Sequence, residues 1–230
     1  MVHQTPLKEK IGYAFKNEDL LKEALTHRSY LNENPSWRYP HNERLEFLGD
    51  AVLELAVTEV LYAKFPSEAE GRLTTLRAAL VNYQRLAMVA RDLGLEAEIY
   101  LSKGEAKDTG RGREVILANA CEALVGAMYL DAGYETAKRF VERHVLAYLE
   151  EVLEKGLYRD PKSTLQETMQ EEAKLTPQYE VLSETGPDHK KTFRVGVYAG
   201  EKLLSEGIGP SKQDAEIDAA RQALEKLKVR

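Results

Sequence analysis

Apolar residues recur at helical spacing through the first two-thirds of the chain. Leu20, Leu21, Ala24 and Leu25 make one such set, Leu45, Leu48, Val52 and Leu55 a second, Leu73, Leu76, Leu80 and Val81 a third; Leu124, Met128 and Val145 to Leu149 follow. The breaks are short: Pro35, Pro40, Pro66 and Gly94 punctuate the first half. Ser102 to Gly112, with Gly104, Gly110 and Gly112 among charged residues, reads as a mobile loop. No convincing strand alternation precedes Gly156, and after it the pattern changes. Ser163 with Gln166 three residues on predicts a capped helix to about Lys174. Tyr179, Val181 and Leu182 predict one strand and Phe193, Val195 and Val197 a second; after the Ala199-Gly200-Glu201 turn comes a third, around Leu203 and Leu204, with Gly207 and Gly209 ending the sheet. From Ser211, the residues Ala215, Ala219, Ala220, Ala223, Leu224 and Leu227 form a small-residue stripe able to lie closely on that sheet.

The pattern therefore predicts a multidomain chain. An all-helical domain spans residues 1–155, a polar connection 156–161, and an α+β domain of order α-β-β-β-α spans 162–230. At 230 residues and 43% hydrophobic, the chain can build real cores. With 32 Lys+Arg against 38 Asp+Glu, a uniformly basic nucleic-acid coat is excluded, so any such binding must come from local patches. Residues 157–230 carry 12 basic and 13 acidic side chains, the preceding residues 20 and 25, which places the acidic excess in the helical part. A lone Cys121 and the absence of repeated Cys/His spacing argue against disulfides and zinc and favour a reducing compartment. A polar start and no uninterrupted apolar run of membrane-spanning length lead us to expect a cytoplasmic protein without a membrane partner.

The segment His41 to Leu53 (HNERLEFLGDAVL) concentrates the chemistry. On a helix, Glu43, Glu46 and Asp50 fall within an arc of about 60°. Phe47, Leu53 and Val57 flank this stripe, and Leu45, Leu48, Val52 and Leu55 cover the opposite face. Carboxylates crowded on so apolar a helix need cations or donors to offset their desolvation. In Asn119 to Ala127, Asn119 and Glu122 share a face bordered by Ala123 and Gly126, small enough to let another helix come close. The spacing fits two arrangements. Either Glu46, Asp50, Asn119 and Glu122 converge as an all-oxygen cluster suited to Mg²⁺ or Mn²⁺, or this is a helix-packing motif with incidental polar residues. Cys121 faces away from Glu122 and reads as packing.

Three places after residue 157 could touch an RNA duplex. Gln166 and Gln170 lie one helical turn apart and could reach 2′-hydroxyls in a wide, shallow minor groove. The loop Gly186 to Lys191, with His189, Lys190 and Lys191, could enter a neighbouring groove, while Ser211 and Lys212 at the last helix offer a phosphate site.

These residues also carry a family resemblance. The run HNERLEFLGDAVL resembles the signature of ribonuclease III. Ile11-Gly12-Tyr13, Ala24 to Tyr30, Glu70-Gly71, Leu76-Arg77-Ala78, Ser102 to Glu105 and Glu122 to Ala127 are similar to further segments of that family, in order. The C-terminal domain resembles a double-stranded RNA-binding domain. The resemblance implies a homodimeric, metal-dependent endonuclease that cuts double-stranded RNA to 5′-phosphate and 3′-hydroxyl ends with short 3′ overhangs, in the processing of rRNA and other transcripts. It implies Mg²⁺, with Mn²⁺ able to substitute, and no organic cofactor. By position it makes Glu46, Asp50, Asn119 and Glu122 the metal set, with Asp50 and Glu122 the principal catalytic positions. Glu43 and Glu70 fall at acidic positions near the subunit junction and RNA. One departure stands out: the family commonly has Asp where this chain has Asn119. A competing expectation is therefore a double-stranded RNA-binding protein with a weakened nuclease centre, against which the retained Glu46, Asp50 and Glu122 argue.

Overall fold

The computed structural model describes residues 5–158, 160–187 and 191–228, and the chain divides into two units after Tyr158. In the first unit the helical periodicities become α1 (Thr5–Ile11), α2 (Glu18–Ala24), α3 (Arg28–Glu33), α4 (Glu43–Lys64), α5 (Glu70–Val81), α6 (Tyr83–Leu93), α7 (Arg111–Ala132), α8 (Tyr134–His144) and α9 (Leu149–Glu154). The only strand-like pairing in this unit, among the described residues, is an isolated bridge between Thr26 and Tyr100. Helix α7 is central: Ile116, Leu117, Ala118, Ala120, Cys121 and Ala123 to Met128 are all buried, and α2, α4, α6 and α8 pack around it. Among the described residues it alone is long and apolar enough to cross a membrane by length and composition, but its apolar residues are spent on this core.

Two glycines set how closely α4 and α7 cross. A Cβ on Gly49 would lie 1.8 Å from the carbonyl oxygen of Glu122, and one on Gly126 would lie 2.3 Å from the carbonyl oxygen of Leu45. The two backbones touch, with no side chain between them. The start of α4 is fixed independently: buried Asn42 donates from Nδ2 to the Ala24 carbonyl at 3.2 Å and from its backbone N–H to Thr26 at 2.9 Å. Trp37 adds an Nε1 donor to Thr26 Oγ1 at 3.2 Å.

Three expectations for this unit change. The buried face of α4 is Leu45, Gly49, Val52, Leu53, Ala56, Val57 and Leu61; Leu48 is only half-buried, Leu55 is 50% exposed and Phe47 83% exposed. The helix is therefore not covered all round, because α7 takes one side and nothing among the described residues of the first unit covers the Phe47 side. The Ser102–Gly112 segment is pinned by specific bonds. Ser29 Oγ accepts from Ser102 N, the Glu33 carboxylate accepts from Lys103 N, and Ser102 Oγ accepts from Glu105 N at the head of a 3-10 turn. Leu146–Tyr148 is likewise a 3-10 turn that leads into α9.

The second unit is α10 (Pro161–Ala173), β1 (Gln178–Thr185), β2 (Thr192–Ala199), β3 (Lys202–Gly209) and α11 (Lys212–Lys228), with an antiparallel sheet in the order β1-β2-β3. Helix α10 is capped one turn earlier than its sequence suggests: the Asp160 carboxylate accepts from Lys162 N and Ser163 N, with Pro161 at the first helical position. A carboxylate outcompetes the Ser163–Gln166 pair as a cap. The consecutive apolar residues Val181 and Leu182 break alternation because β1 bulges between Val181 and Ser183. Gly207 and Gly209 belong to β3 and do not merely terminate it. A Cβ on Gly207 would fall 2.1 Å from Ala219 N, and buried Ser205 Oγ donates to the Ala219 carbonyl at 2.6 Å. The small-residue stripe of α11 thus rests directly on strand backbone. On the outer edge of β3, Asp218 accepts from Ile208 N and Lys226 donates to the Leu204 carbonyl, which blocks further strand pairing there.

The α4–α7 contact generates a first prediction. Gly126→Ala places a methyl group against a carbonyl that cannot rotate away, so it should cost about 3 kcal/mol and lower the unit's thermal midpoint by about 6–12 °C. Calorimetry on the full chain tests this, and a shift below about 2 °C would show that the backbones are not in contact.

Candidate active site

Because α4 and α7 touch at Gly49 and Gly126, Glu46 and Asp50 on either side of Gly49 lie beside the α7 segment that carries Asn119 and Glu122, seven and four residues before Gly126. Helix α4 supplies Glu46 and Asp50; α7 supplies Asn119 and Glu122. The Asn119 side chain hydrogen-bonds the Glu46 carboxylate. That leaves the amide oxygen of Asn119 as a neutral donor atom. Glu46 is half-buried, and its carboxyl is raised above the usual range by burial first and by Glu43 and Asp50, while the Asn119 bond opposes the shift.

Glu122 feels the cluster most strongly. Burial, followed by the charges of Asp50, Glu46 and Glu54, pushes its carboxyl up to about 8. Next to it Cys121 is wholly buried and its thiol is pushed up to about 12, chiefly by burial, which makes it a packing residue. Among the described residues no three His, Cys, Asp or Glu side chains are drawn into a closed ligand cage. Like charges on facing helices hold one another apart unless a cation lies among them. The donor set, three carboxylates and one amide oxygen with no nitrogen or sulfur ligand, fits a hard divalent ion.

Glu43 and Glu70 stand outside this group. Glu43 is exposed at the first turn of α4 and pairs with Arg28 at 3.3 Å and with His41 Nδ1 at 3.7 Å. Glu70 opens α5 and accepts from Thr74 Oγ1 at 2.9 Å, with no contact to the cluster among the described residues. Glu54 was not anticipated from the sequence. Its signal was available: it lies four residues beyond Asp50 and so continues the same stripe.

In the second unit, Gln166 and Gln170 are exposed on α10, opposite buried Leu165 and Met169. Lys191 pairs with Glu184 at 2.6 Å. His189 and Lys190 lie outside the described residues. Lys212 is exposed at the start of α11, but Ser211 is engaged: its Oγ accepts from Asp214 N at 3.1 Å and donates to the Asp214 carboxylate at 2.6 Å. The helix end expected to meet phosphate therefore carries an acid beside it.

Comparison with known proteins gives a consistent result. Residues 17–149 match the ribonuclease-III-like family pattern and residues 161–227 the double-stranded RNA binding motif. Ribonuclease 3 of Bdellovibrio bacteriovorus is 45% identical over 95% of this chain and 94% of its own length. That of Symbiobacterium thermophilum is 49% identical over 94% and 91%. The crystal structure of the nuclease domain of ribonuclease III from Campylobacter jejuni superposes with a TM-score of 0.55 at 44% identity, covering 62% of this chain and 96% of that one.

The electrostatics predict a pH dependence for the metal-free protein. Glu122 titrates near 8 when folded against 4.5 as a free side chain, so the folded state holds a proton that the unfolded state has lost. Stability should therefore be greatest below about pH 5 and fall as pH rises to about 8, by at most about 1.4 kcal/mol per pH unit. Glu122→Gln should flatten this slope in EDTA. Parallel slopes for the two proteins in urea denaturation would contradict the assignment.

Proposed function

The chain belongs to the ribonuclease III family and is a double-strand-specific endoribonuclease, and we propose that it holds Mg²⁺, or Mn²⁺ in its place, on Glu46, Asp50, Asn119 and Glu122. What supports this reading is the backbone contact of α4 and α7, the hydrogen bond between Asn119 and Glu46, and the charges of Asp50 and Glu46 felt at Glu122. When bound, the divalent ion lowers the pKa of water and stabilises charge developing on the phosphate. Asp50 and Glu122 would hold the ion through their carboxylates, which requires Glu122 to give up its proton. Asn119 steadies Glu46 through its amide N–H and offers its oxygen without adding charge. Water attacks phosphorus, the bond from phosphorus to the 3′ oxygen breaks, and that oxygen takes a proton. The products carry a 5′-phosphate and a 3′-hydroxyl.

The second unit supplies duplex selection. Gln166 and Gln170 address one minor groove, the Gly186–Lys191 segment with His189, Lys190 and Lys191 a neighbouring one, and Ser211 and Lys212 a phosphate. A-form grooves present little base-specific information, so selection is for duplex shape, which suits the paired regions of rRNA precursors and other transcripts.

We further propose that the active form is a homodimer built on the exposed side of α4. Phe47 (83% exposed), Leu55 (50%) and Tyr62 (75%) lie within about 80° on one helical stripe, an apolar surface that a second copy would cover. One of the matched Campylobacter jejuni nuclease-domain structures describes a region involved in dimer formation. Each subunit would then contribute one cleavage centre, with Glu43 and Glu70 toward the junction and RNA, and the paired cuts would leave short 3′ overhangs.

Two experiments test these readings. Asp50→Asn and Glu122→Gln should each lower cleavage of a long RNA duplex in Mg²⁺ by about 10³-fold while binding of the duplex in EDTA stays within about twofold of the unsubstituted protein. Full cleavage by either variant would overturn the site. Phe47→Glu should convert the chain to a monomer at micromolar concentration by light scattering, and an unchanged dimer would remove α4 from the interface.

A further inference from the structure

The run Ile11-Gly12-Tyr13 takes no part in the acidic cluster or in duplex selection, yet it builds one wall of a cleft of about 520 Å³ between the end of α1, α7 and α8. That size lies within the range of about 300–1,000 Å³ usual for small-molecule sites. The apolar lining is Ile11, Met128 and Phe140, all buried. Tyr13 stands beside it and is held in place. Its hydroxyl donates to the Asp131 carboxylate, which also accepts from Lys16 N at 2.7 Å and Asn17 N at 2.9 Å, and its ring meets Phe15 edge-on at 5.1 Å. Met128 lies six residues beyond Glu122, about 120° away around α7, so the cleft and the acidic cluster are on different faces.

Helix α8 supplies the polar side. Arg139 and Arg143 line the cleft one turn apart. Arg139 donates to Thr136 Oγ1 at 3.1 Å, and neither guanidinium has a carboxylate within 4.0 Å among the described residues. By contrast, Arg28, Arg38, Arg72, Arg85, Arg91 and Arg113 of the same unit are each ion-paired. Like charges at i and i+4 repel, so this open pair facing a cleft favours an anion. Arg143 reaches the wall because position 12 is glycine: its φ is +71°, and a Cβ there would fall 2.6 Å from an Arg143 guanidinium nitrogen. Glu142 stands on the rim, about 60° to one side of Arg139 around the helix, as an acceptor.

We propose that this cleft binds a nucleotide 5′-monophosphate, with the phosphate on Arg139 and Arg143, the base against Tyr13 and the apolar lining, and Glu142 accepting from an exocyclic amine. Guanidinium groups match phosphate, and an apolar lining beside a fixed aromatic ring matches a base. A simple anion makes no use of the lining, and an apolar ligand makes none of the arginines. Two sources carry this chemistry: a free mononucleotide and the 5′-phosphorylated end of an RNA strand. The proposal stands apart from the reading of the metal set.

The test is calorimetric titration of the full chain with adenosine 5′-monophosphate (AMP) in EDTA, which leaves divalent ions out of the measurement. AMP should bind at one site per chain. Adenosine and inorganic phosphate should each bind at least about tenfold more weakly, since each lacks half of the ligand. Arg139→Gln and Arg143→Gln should each weaken AMP about tenfold, the loss of one charge-assisted hydrogen bond, and Arg143→Lys should lose less because the charge is kept. Both arginines are exposed, so the thermal midpoint of each variant should stay within about 2 °C of the unsubstituted chain. Competition with AMP by the 5′-phosphorylated dinucleotide pApA, and none by ApA, places an RNA end in the cleft; no competition by pApA assigns it to the free nucleotide.

The absence of saturable binding at millimolar AMP would overturn the proposal. So would AMP binding that survives both substitutions to Gln, which would move it to another surface. Inorganic phosphate binding as tightly as AMP would also overturn it, since only an anion site would remain.

Discussion

Backbone contact between α4 and α7 is the constraint from which the site follows. With any side chain at Gly49 or Gly126 the helices would have to separate, and Glu46 and Asp50 would move away from Asn119 and Glu122. Close approach has an electrostatic consequence as well as a steric one. It draws Glu46 and Glu122 into a partly dry region where burial and the neighbouring charges raise their proton affinity, most visibly at Glu122. The cluster thus stores repulsion that a divalent cation would relieve. Packing supplies the stability that lets this repulsion persist: the apolar core of α7 continues without interruption behind the cluster.

The second unit uses the same device for a different end. Gly207 and Gly209 remove side chains from β3 so that Ala215 and Ala219 of α11 can rest on the strand, and Ser205 ties the contact with a buried hydrogen bond. Close seating of α11 fixes where its N-terminus emerges, and hence where Lys212 is presented. Asp214 beside it tempers that positive end by capping through Ser211. Attraction for RNA in this unit is therefore local and modest, in keeping with its nearly balanced charge.

Much of this was legible in the sequence because periodicity and local chemistry agreed. The helices around Leu45 to Leu55 and Leu73 to Val81, the three strands and the alanine stripe of α11 all formed where their spacing placed them. What was not legible depended on neighbours. Periodicity gave α4 an apolar face but could not say that α7 would cover Leu53 and Val57 and leave Phe47 and Leu55 exposed. The Ser102–Gly112 segment looked loose because its partners Ser29 and Glu33 are some 70 residues away. Asp160 displaced Ser163 as the cap of α10 because a carboxylate was one turn nearer the start. Glu54 escaped notice because the signature run ends at Leu53, while the stripe on the helix does not.

The central claim is that the meeting point of α4 and α7 is a divalent-metal centre. Anomalous diffraction from crystals of the full chain soaked in Mn²⁺ addresses it most directly. The account predicts a peak bounded by Glu46, Asp50, Asn119 and Glu122. A saturating soak that gives no peak there, or places its strongest peak away from these side chains, would contradict it.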